Sequence, residues 1–360
     1  MRRTCAFVAG PRRAVRCRRP PRSSRAPPTS TEAVVTGALH VDPRPAAPGA
    51  PAPAVLAAVA PQGPDVAGHR PVAPDARPGV VADPLPLPRA GWGAADALAA
   101  LEEARLVLPV APDEPEVVSV LTTVVLRLGD DAVKVYPPGT DAAHLGAVAT
   151  ALDGSRRGLL PRQAPVVTSS GVVVVSPWLA DARPARWPRI GRALRRFHDD
   201  HTDADVPAWV PLRRLDGLLD ALPDDAAAVL LDARAALLDA VASAGTELGT
   251  GAVHGDVSPG NVLRSRGRTW LVDLDFVARG PLEYDLTSAA RRFDAGELDD
   301  VTYLRFCRAY GHDVRGWAGR PVLDAVAELG GVLFRLWDDR QRGVGSPWLG
   351  AAVGRWRTPL

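Results

Sequence analysis

The sequence predicts an α+β protein of two lobes, a small β-rich lobe followed by a larger helical one. Three observations carry this reading. Short β-branched runs crowd residues 117–136 and return at 166–175. Apolar residues then recur at helical spacing from residue 189 onward. One island of strand character, 252–277, interrupts the helical half.

Residues 1–92 stand apart from both lobes. The first 90 residues hold 18 of the 36 prolines, and residues 1–31 hold nine arginines and no acid. Such a segment cannot bury enough apolar surface to fold, and it reads as a disordered Arg/Pro/Ala-rich extension with a transit-peptide-like composition. The rest of the 360-residue chain is long enough for a sizeable core. Ala99–Leu108 reads as a short helix stopped by Pro109. Val117–Val120, Thr122–Leu128 and Ala132–Tyr136 read as antiparallel strands, with a turn at Gly129-Asp130-Asp131. Ala142–Leu152 reads as a helix, and Val166–Val167 and Gly171–Val175 as two further strands, so residues 93–179 form the first lobe. In the second lobe, 180–360, Ile190, Leu194 and Phe197 mark a helix over 189–199. Leu230, Ala233, Leu237 and Val241 mark another over 224–243, and Val322, Val326, Leu329, Leu333 and Leu336 the buried face of a third.

Charge and cysteine usage exclude several functions. The whole chain has a net charge of +2, but beyond residue 31 there are 34 basic against 41 acidic side chains. That balance argues against nucleic acid as the partner of the folded part. The longest apolar stretches are too short or too interrupted by proline for a membrane span. Cys5, Cys17 and Cys307 form neither a disulfide framework nor a zinc motif, which points to a reducing, cytoplasmic setting. Of the 43 basic residues, 42 are arginine and one is lysine, Lys134, on a predicted strand. A chain that writes arginine everywhere else has kept one compact ammonium, the group suited to a tight site.

The 252–277 island carries the chemistry. It reads His254-Gly255-Asp256-Val257-Ser258-Pro259-Gly260-Asn261, then two apolar runs around Ser265-Arg266-Gly267-Arg268, then Val272-Asp273-Leu274-Asp275. A hairpin centred on Gly267 sets Asn261 opposite Asp273, Val262 opposite Val272 and Leu263 opposite Leu271. Asp256 lies on a Gly- and Pro-bearing loop free to curl over the same end. Two acids and an amide then converge, a hard-oxygen set suited to Mg²⁺ with phosphates completing the shell. Phosphoryl transfer needs these parts: metal ligands, a carboxylate to take the hydroxyl proton, and a cation on the nucleotide phosphates. Asp256-x4-Asn261 has the spacing of a kinase loop, and Lys134 is the natural phosphate contact.

The stretches HGDVSPGNVL, WLVDLDF and GPLEYDL closely resemble the aminoglycoside phosphotransferase family, which shares a bilobal protein-kinase-like fold with choline kinases. The resemblance covers about residues 95–345. It implies that Asp256 is the catalytic base, that Asn261 and Asp273 hold Mg²⁺, and that Lys134 contacts the phosphates of ATP. It makes Asp285 a brace for the loop, and it places Ser176, Trp178 and Leu179 at the hinge beside adenine. His254, Ser258 and Asp275 are supporting residues, His254 as a structural histidine and Asp275 behind the metal ligands. The helix ending Arg196-Phe197-His198 resembles the family's LxxLH helix, although His198 and His201 by themselves read as cap or surface residues.

One departure stands out. The helix after the lysine usually carries a glutamate partner, and Asp141-Ala142-Ala143-His144-Leu145 has none. Either Asp141 or His144 substitutes, or phosphate alone holds the lysine. The first reading is therefore a small-molecule kinase acting on a hydroxyl of an aminoglycoside-like, amino-alcohol or sugar-like compound. A catalytically weak nucleotide-binding module is the alternative that the missing glutamate favours. A protein kinase is disfavoured because Asp-Leu-Asp stands where DFG would.

Overall fold

We describe the protein from a computed structural model over residues 89–110 and 112–360. The expectations for the arginine- and proline-rich head, with Cys5 and Cys17, lie outside the described residues.

The first lobe is a five-stranded antiparallel sheet in the order β1-β2-β3-β5-β4. Its strands are β1 (Glu116–Val120), β2 (Val124–Leu128), β3 (Asp131–Tyr136), β4 (Val166–Val167) and β5 (Val172–Pro177). Strand alternation divides their side chains between two faces. Val133 and Val135 of β3 pack with Val173 and Val175 against helix α1 (Ala94–Ala104), which supplies Ala97, Ala100 and Leu101. Lys134 and Tyr136 point to the opposite face, where Tyr136 packs with Val172, Val174 and Leu145 of helix α2 (Ala142–Ala151). The first helix starts and ends about five residues earlier than the sequence suggests, because Asp96 accepts from Gly93 N and fixes its start. Trp92 is buried in the same core. Its indole donates to Ser170 O, while Arg89 N donates to Gln341 Oε1 at 2.5 Å, joining this segment to the far end of the second lobe.

The second lobe has two apolar cores. One gathers α3 (Trp187–Asp200), α5 (Tyr284–Asp294) and α6 (Asp300–Tyr310) around Ile190, Leu194, Phe197, Leu286 and Phe306. Gly191 allows α3 to lie against α6: a Cβ there would sit 2.7 Å from Phe306 O. The other core joins α4 (Asp224–Ala244), α7 (Arg320–Gln341) and α8 (Leu349–Arg355). On α7, Leu323 is buried, whereas Val322 is only partly covered. Asp299 caps α6 by accepting from Thr302 N, and Glu297 pairs with Arg292.

Between the cores lie two small sheets. β6 (Arg183–Pro184), β8 (Val262–Ser265) and β9 (Arg268–Leu271) form one, and β7 (Thr250–Val253) pairs with β10 (Ala278–Pro281) in the other. The β8–β9 register differs by one residue from the sequence expectation: Val262 faces Leu271 and Leu263 faces Trp270. The turn is the reason. Arg266 and Gly267 have φ of 46° and 80°, the two positive values of a tight two-residue hairpin loop. Asn261 therefore meets Val272, whose N–H donates to Asn261 O at 2.9 Å, and Asp273 lies one residue further on.

Candidate functional site

A cleft of about 1990 Å³ is lined by Lys134, Asp256, Asn261, Asp273, Asp275 and Asp285. The volume exceeds the few hundred to about 1000 Å³ of a single small-molecule pocket, so it has room for two ligands side by side. Ser176, Trp178, Leu179 and Ser258 line it as well.

The 254–261 loop is fixed from behind. The buried carboxylate of Asp285, at the start of α5, accepts from His254 N at 2.6 Å and Gly255 N at 2.9 Å. His198 Nε2 lies 2.9 Å from the same carboxylate, and its Nδ1 lies 2.8 Å from Tyr310 Oη. His198 is thus neither cap nor surface residue: α6 covers it and leaves it 2% exposed. His201 is buried too and bonds Ser155 Oγ. His254 is fully buried; its Nε2 meets Val272 O and its Nδ1 accepts from Asp256 N. Gly255 has φ +84°, and a Cβ there would stand 2.6 Å from Phe276 O, so only glycine lets the loop lie on the 274–276 turn. Ser288 Oγ of α5 donates to Val257 O at 2.6 Å and pins the middle of the loop.

Asn261 orients the acid at the front. Its Nδ2 donates to Asp256 O at 2.9 Å and to Asp256 Oδ2 at 2.8 Å. Its own N–H donates to Ser258 O, at 3.1 Å, and Ser258 Oγ. Burial pushes the Asp256 carboxyl up to about 7; the Asp273 charge adds to the rise, and the Asn261 bond opposes it.

Across the cleft, Lys134 Nζ lies 2.6 Å from Asp273 Oδ1 and 2.6 Å from Asp275 Oδ2. Asp273 has φ 61°, a left-handed conformation that ends the strand and turns its carboxylate toward the lysine. Asp275 does not continue a strand; it sits in a 3₁₀ turn, Leu274–Phe276. Tyr136 Oη donates to Asp275 Oδ1 at 2.7 Å. Burial pulls the Lys134 ammonium down, yet the two carboxylates outweigh it and hold it well above the usual lysine range. Burial raises Asp273, but the ammonium overcomes this and lowers it; its neighbour Asp275 is raised by burial, with the Asp273 charge adding. Two carboxylates on one cation divide in this way. The Tyr136 hydroxyl is pushed well up by burial and by Asp275, so it stays a donor.

Asp141, expected as a substitute partner for the lysine, caps α2 by accepting from His144 N at 3.0 Å. At the hinge, Trp178 N donates to Asp130 O at 2.8 Å, which removes this amide from any adenine contact, and Arg127 stacks over the Trp178 ring. Ser176 pairs with Ala132 in the sheet.

Among the described residues, no group of three His, Cys, Asp or Glu side chains could hold a metal by itself. The donor set nonetheless fits a hard cation shared with phosphates. With Nδ2 of Asn261 bonded to Asp256, its amide oxygen is the remaining donor, and Asp273 adds a carboxylate.

A family model, described as the phosphotransferase enzyme family, matches residues 132–325, more than half of the chain. The chain belongs to the phosphotransferase enzyme family. The match spans Lys134, the 254–261 loop, Asp273 and Asp285. Solved structures share the bilobal fold of this phosphotransferase. The choline kinase LicA from Streptococcus pneumoniae is 13% identical with a TM-score of 0.52, covering 72% of this chain and 96% of its own. An ethanolamine kinase from Plasmodium vivax is 13% identical with a TM-score of 0.50, covering 71% and 84%. The amicoumacin kinase hAmiN, solved in complex with AMP-PNP, Ca²⁺ and Ami, is 14% identical with a TM-score of 0.55, covering 71% and 90%. No curated protein matches the sequence.

Sequence reasoning missed the roles of five residues. Tyr136 had a signal, since it stands two residues from Lys134 on one strand face. His198 and Glu283 lie within the LxxLH-like helix and GPLEYDL, but their roles, like those of Tyr310 and Ser288, depend on partners distant in the chain. Glu283 is fully buried and accepts from Glu247 N and Leu248 N, which sets the strand leading into the loop.

Proposed function

We propose that this phosphotransferase moves the γ-phosphate of ATP to a hydroxyl of a small molecule. The observation that carries the reading is the placement of Asp256. Asn261 fixes its carboxylate at the cleft wall, on the side opposite a lysine flanked by Asp273 and Asp275. Asp256 orients the acceptor hydroxyl and takes its proton as oxygen attacks phosphorus and the bond to the ADP oxygen breaks. Lys134 holds nucleotide phosphate at the first-lobe wall. Asp285 and His198 keep the 254–261 loop from relaxing while the proton moves. Asn261 and Asp273 would hold Mg²⁺, which would supply charge neutralisation on the phosphates. Trp178 and Leu179 line the part of the cleft assigned to adenine.

The acceptor lies over the second lobe. Trp209 and Tyr284 pack there with ring centroids 4.7 Å apart and planes tilted by 52°, next to Thr287, Ser288 and Arg291 on the same cleft wall. This wall mixes aromatic surface with hydroxyl and guanidinium groups, which suits a hydroxyl-bearing acceptor: an aminoglycoside, an amino alcohol or a sugar-like compound. The test is a Mg-ATP turnover screen over these three classes with wild type and Asp256→Ala. Acceptor-dependent ADP release that vanishes in the variant supports the reading. Full activity in a folded Asp256→Ala protein refutes it.

A further inference from the structure

We infer that Tyr136 is a positioning residue for nucleotide binding, acting through Asp275 to hold Lys134 at the phosphate end of the cleft. The inference rests on the reading above that ATP occupies this cleft. It adds a residue that the family pattern does not supply.

Lys134 needs a partner that stays with it. Helix α2 contains no acid, and Asp141 at its start caps the helix. The carboxylates that remain are Asp273 and Asp275, and they differ in setting. The Asp273 side chain is 29% exposed and that of Asp275 is 9% exposed. Asp273 faces the open cleft and is the carboxylate assigned to the metal. Asp275 faces inward, and both of its oxygens are engaged: Oδ2 with Lys134 Nζ, Oδ1 with Tyr136 Oη. A carboxylate gripped at both oxygens cannot rotate about its last torsion without breaking one bond. Its alignment is therefore set by a buried hydroxyl on the same strand as the lysine.

Tyr136 touches the lysine a second way. The two residues share a face of β3, and the ammonium lies 4.8 Å from the centre of the tyrosine ring. Ring, hydroxyl and carboxylate thus close a small circuit around one charge: Tyr136 to Asp275, Asp275 to Lys134, Lys134 back over Tyr136. Asp273 stands outside this circuit. When Asp273 turns to other ligands, the circuit still holds the ammonium in place.

The experiment measures equilibrium binding of ATP and of adenosine to the full chain in EDTA, for wild type, Tyr136→Phe, Asp275→Asn and the double variant. Lys134 contacts phosphate and not adenosine, so a positioning role changes one ligand and not the other. Tyr136→Phe is expected to weaken ATP by about five- to tenfold, the range for losing one hydrogen bond's net contribution, and to leave adenosine unchanged. Asp275→Asn weakens ATP further, and adding Tyr136→Phe to it has no additional effect, because the two act as one unit. In turnover, the KM for Mg-ATP rises by the same factor while the acceptor KM stays put. An unchanged ATP-to-adenosine ratio in Tyr136→Phe, or equal weakening of both ligands, overturns the inference and leaves Tyr136 as a packing residue. A wild-type chain that holds ATP no tighter than adenosine removes the ATP reading itself, which a loss confined to the variant does not.

Discussion

The two walls of the cleft are held by different means. The Asp256 wall is secured inside one lobe: Asp285, Asn261 and Ser288 grip the loop through its backbone, His198 and Tyr310 hold Asp285 from behind, and all five belong to the second lobe. The Lys134 wall is secured between lobes, because a first-lobe lysine meets carboxylates from the 273–275 turn. One wall is thus independent of how the lobes sit. The other is shared by both lobes.

The sharpest way to break this comparison is at the base. Asp256→Ala is expected to lower turnover about 1000-fold without loss of fold, since its bonds are to one amide and one ring nitrogen. Full kinetics beside thermal melts of the variant would check both halves of that statement. The next largest effect is on the brace. Asp285→Ala leaves two buried N–H groups and a buried imidazole without their acceptor, and should destabilise the protein by about 3 kcal/mol in urea denaturation. A loss below about 1 kcal/mol would mean that the loop is held by something else.

The interlobe wall should respond differently. Lys134→Ala is expected to weaken ATP by about 30-fold and to lower the melting temperature, because Asp273 can turn to solvent but the buried Asp275 loses its cation. A collapse of the fold in this variant would mean that the ion pair holds the lobes together in the absence of ligand.

The smallest effect depends on pH. Asp256 has a carboxyl near 7 in the folded chain against 3.8 when exposed, so the native state binds its proton more readily. Stability from this group is full below about pH 4 and declines as pH rises through 7. Asp256→Asn carries no charge to bury. In EDTA and without nucleotide it should be more stable than wild type by about 1.5 kcal/mol at pH 8, with the gain fading toward pH 4. Equal stabilities at both pH values would show that the buried charge is relieved by water.

Much of this was legible in the chain because it is local. Strands 124–128 and 131–136 and the helices over 187–200 and 224–244 follow hydrophobic period, and the HGDxxxxN spacing fixes the loop. The sole lysine pointed to its wall. What failed to show depended on distance or on backbone detail. The hairpin slipped by one because positive φ at Arg266 is invisible in a centre-of-turn argument. His198 looked like a surface cap because α6, which buries it, lies more than a hundred residues on. Residues 250–253 and 278–281 pair with each other across the hairpin, and neither run is long or alternating enough to announce a strand.

The segment before α1 has a mechanical consequence. Arg89 bonds Gln341 at the end of α7, and three residues later Trp92 is sunk in the first-lobe core. The polypeptide therefore spans the groove twice, once at residues 177–187 and once at this clasp. A book fastened at spine and fore-edge does not gape; it can only twist about the line joining its two fastenings. Trimming the chain at residue 92 would cut the clasp and leave the spine to share the load with the seam that joins Arg157 and Leu159 to Leu271.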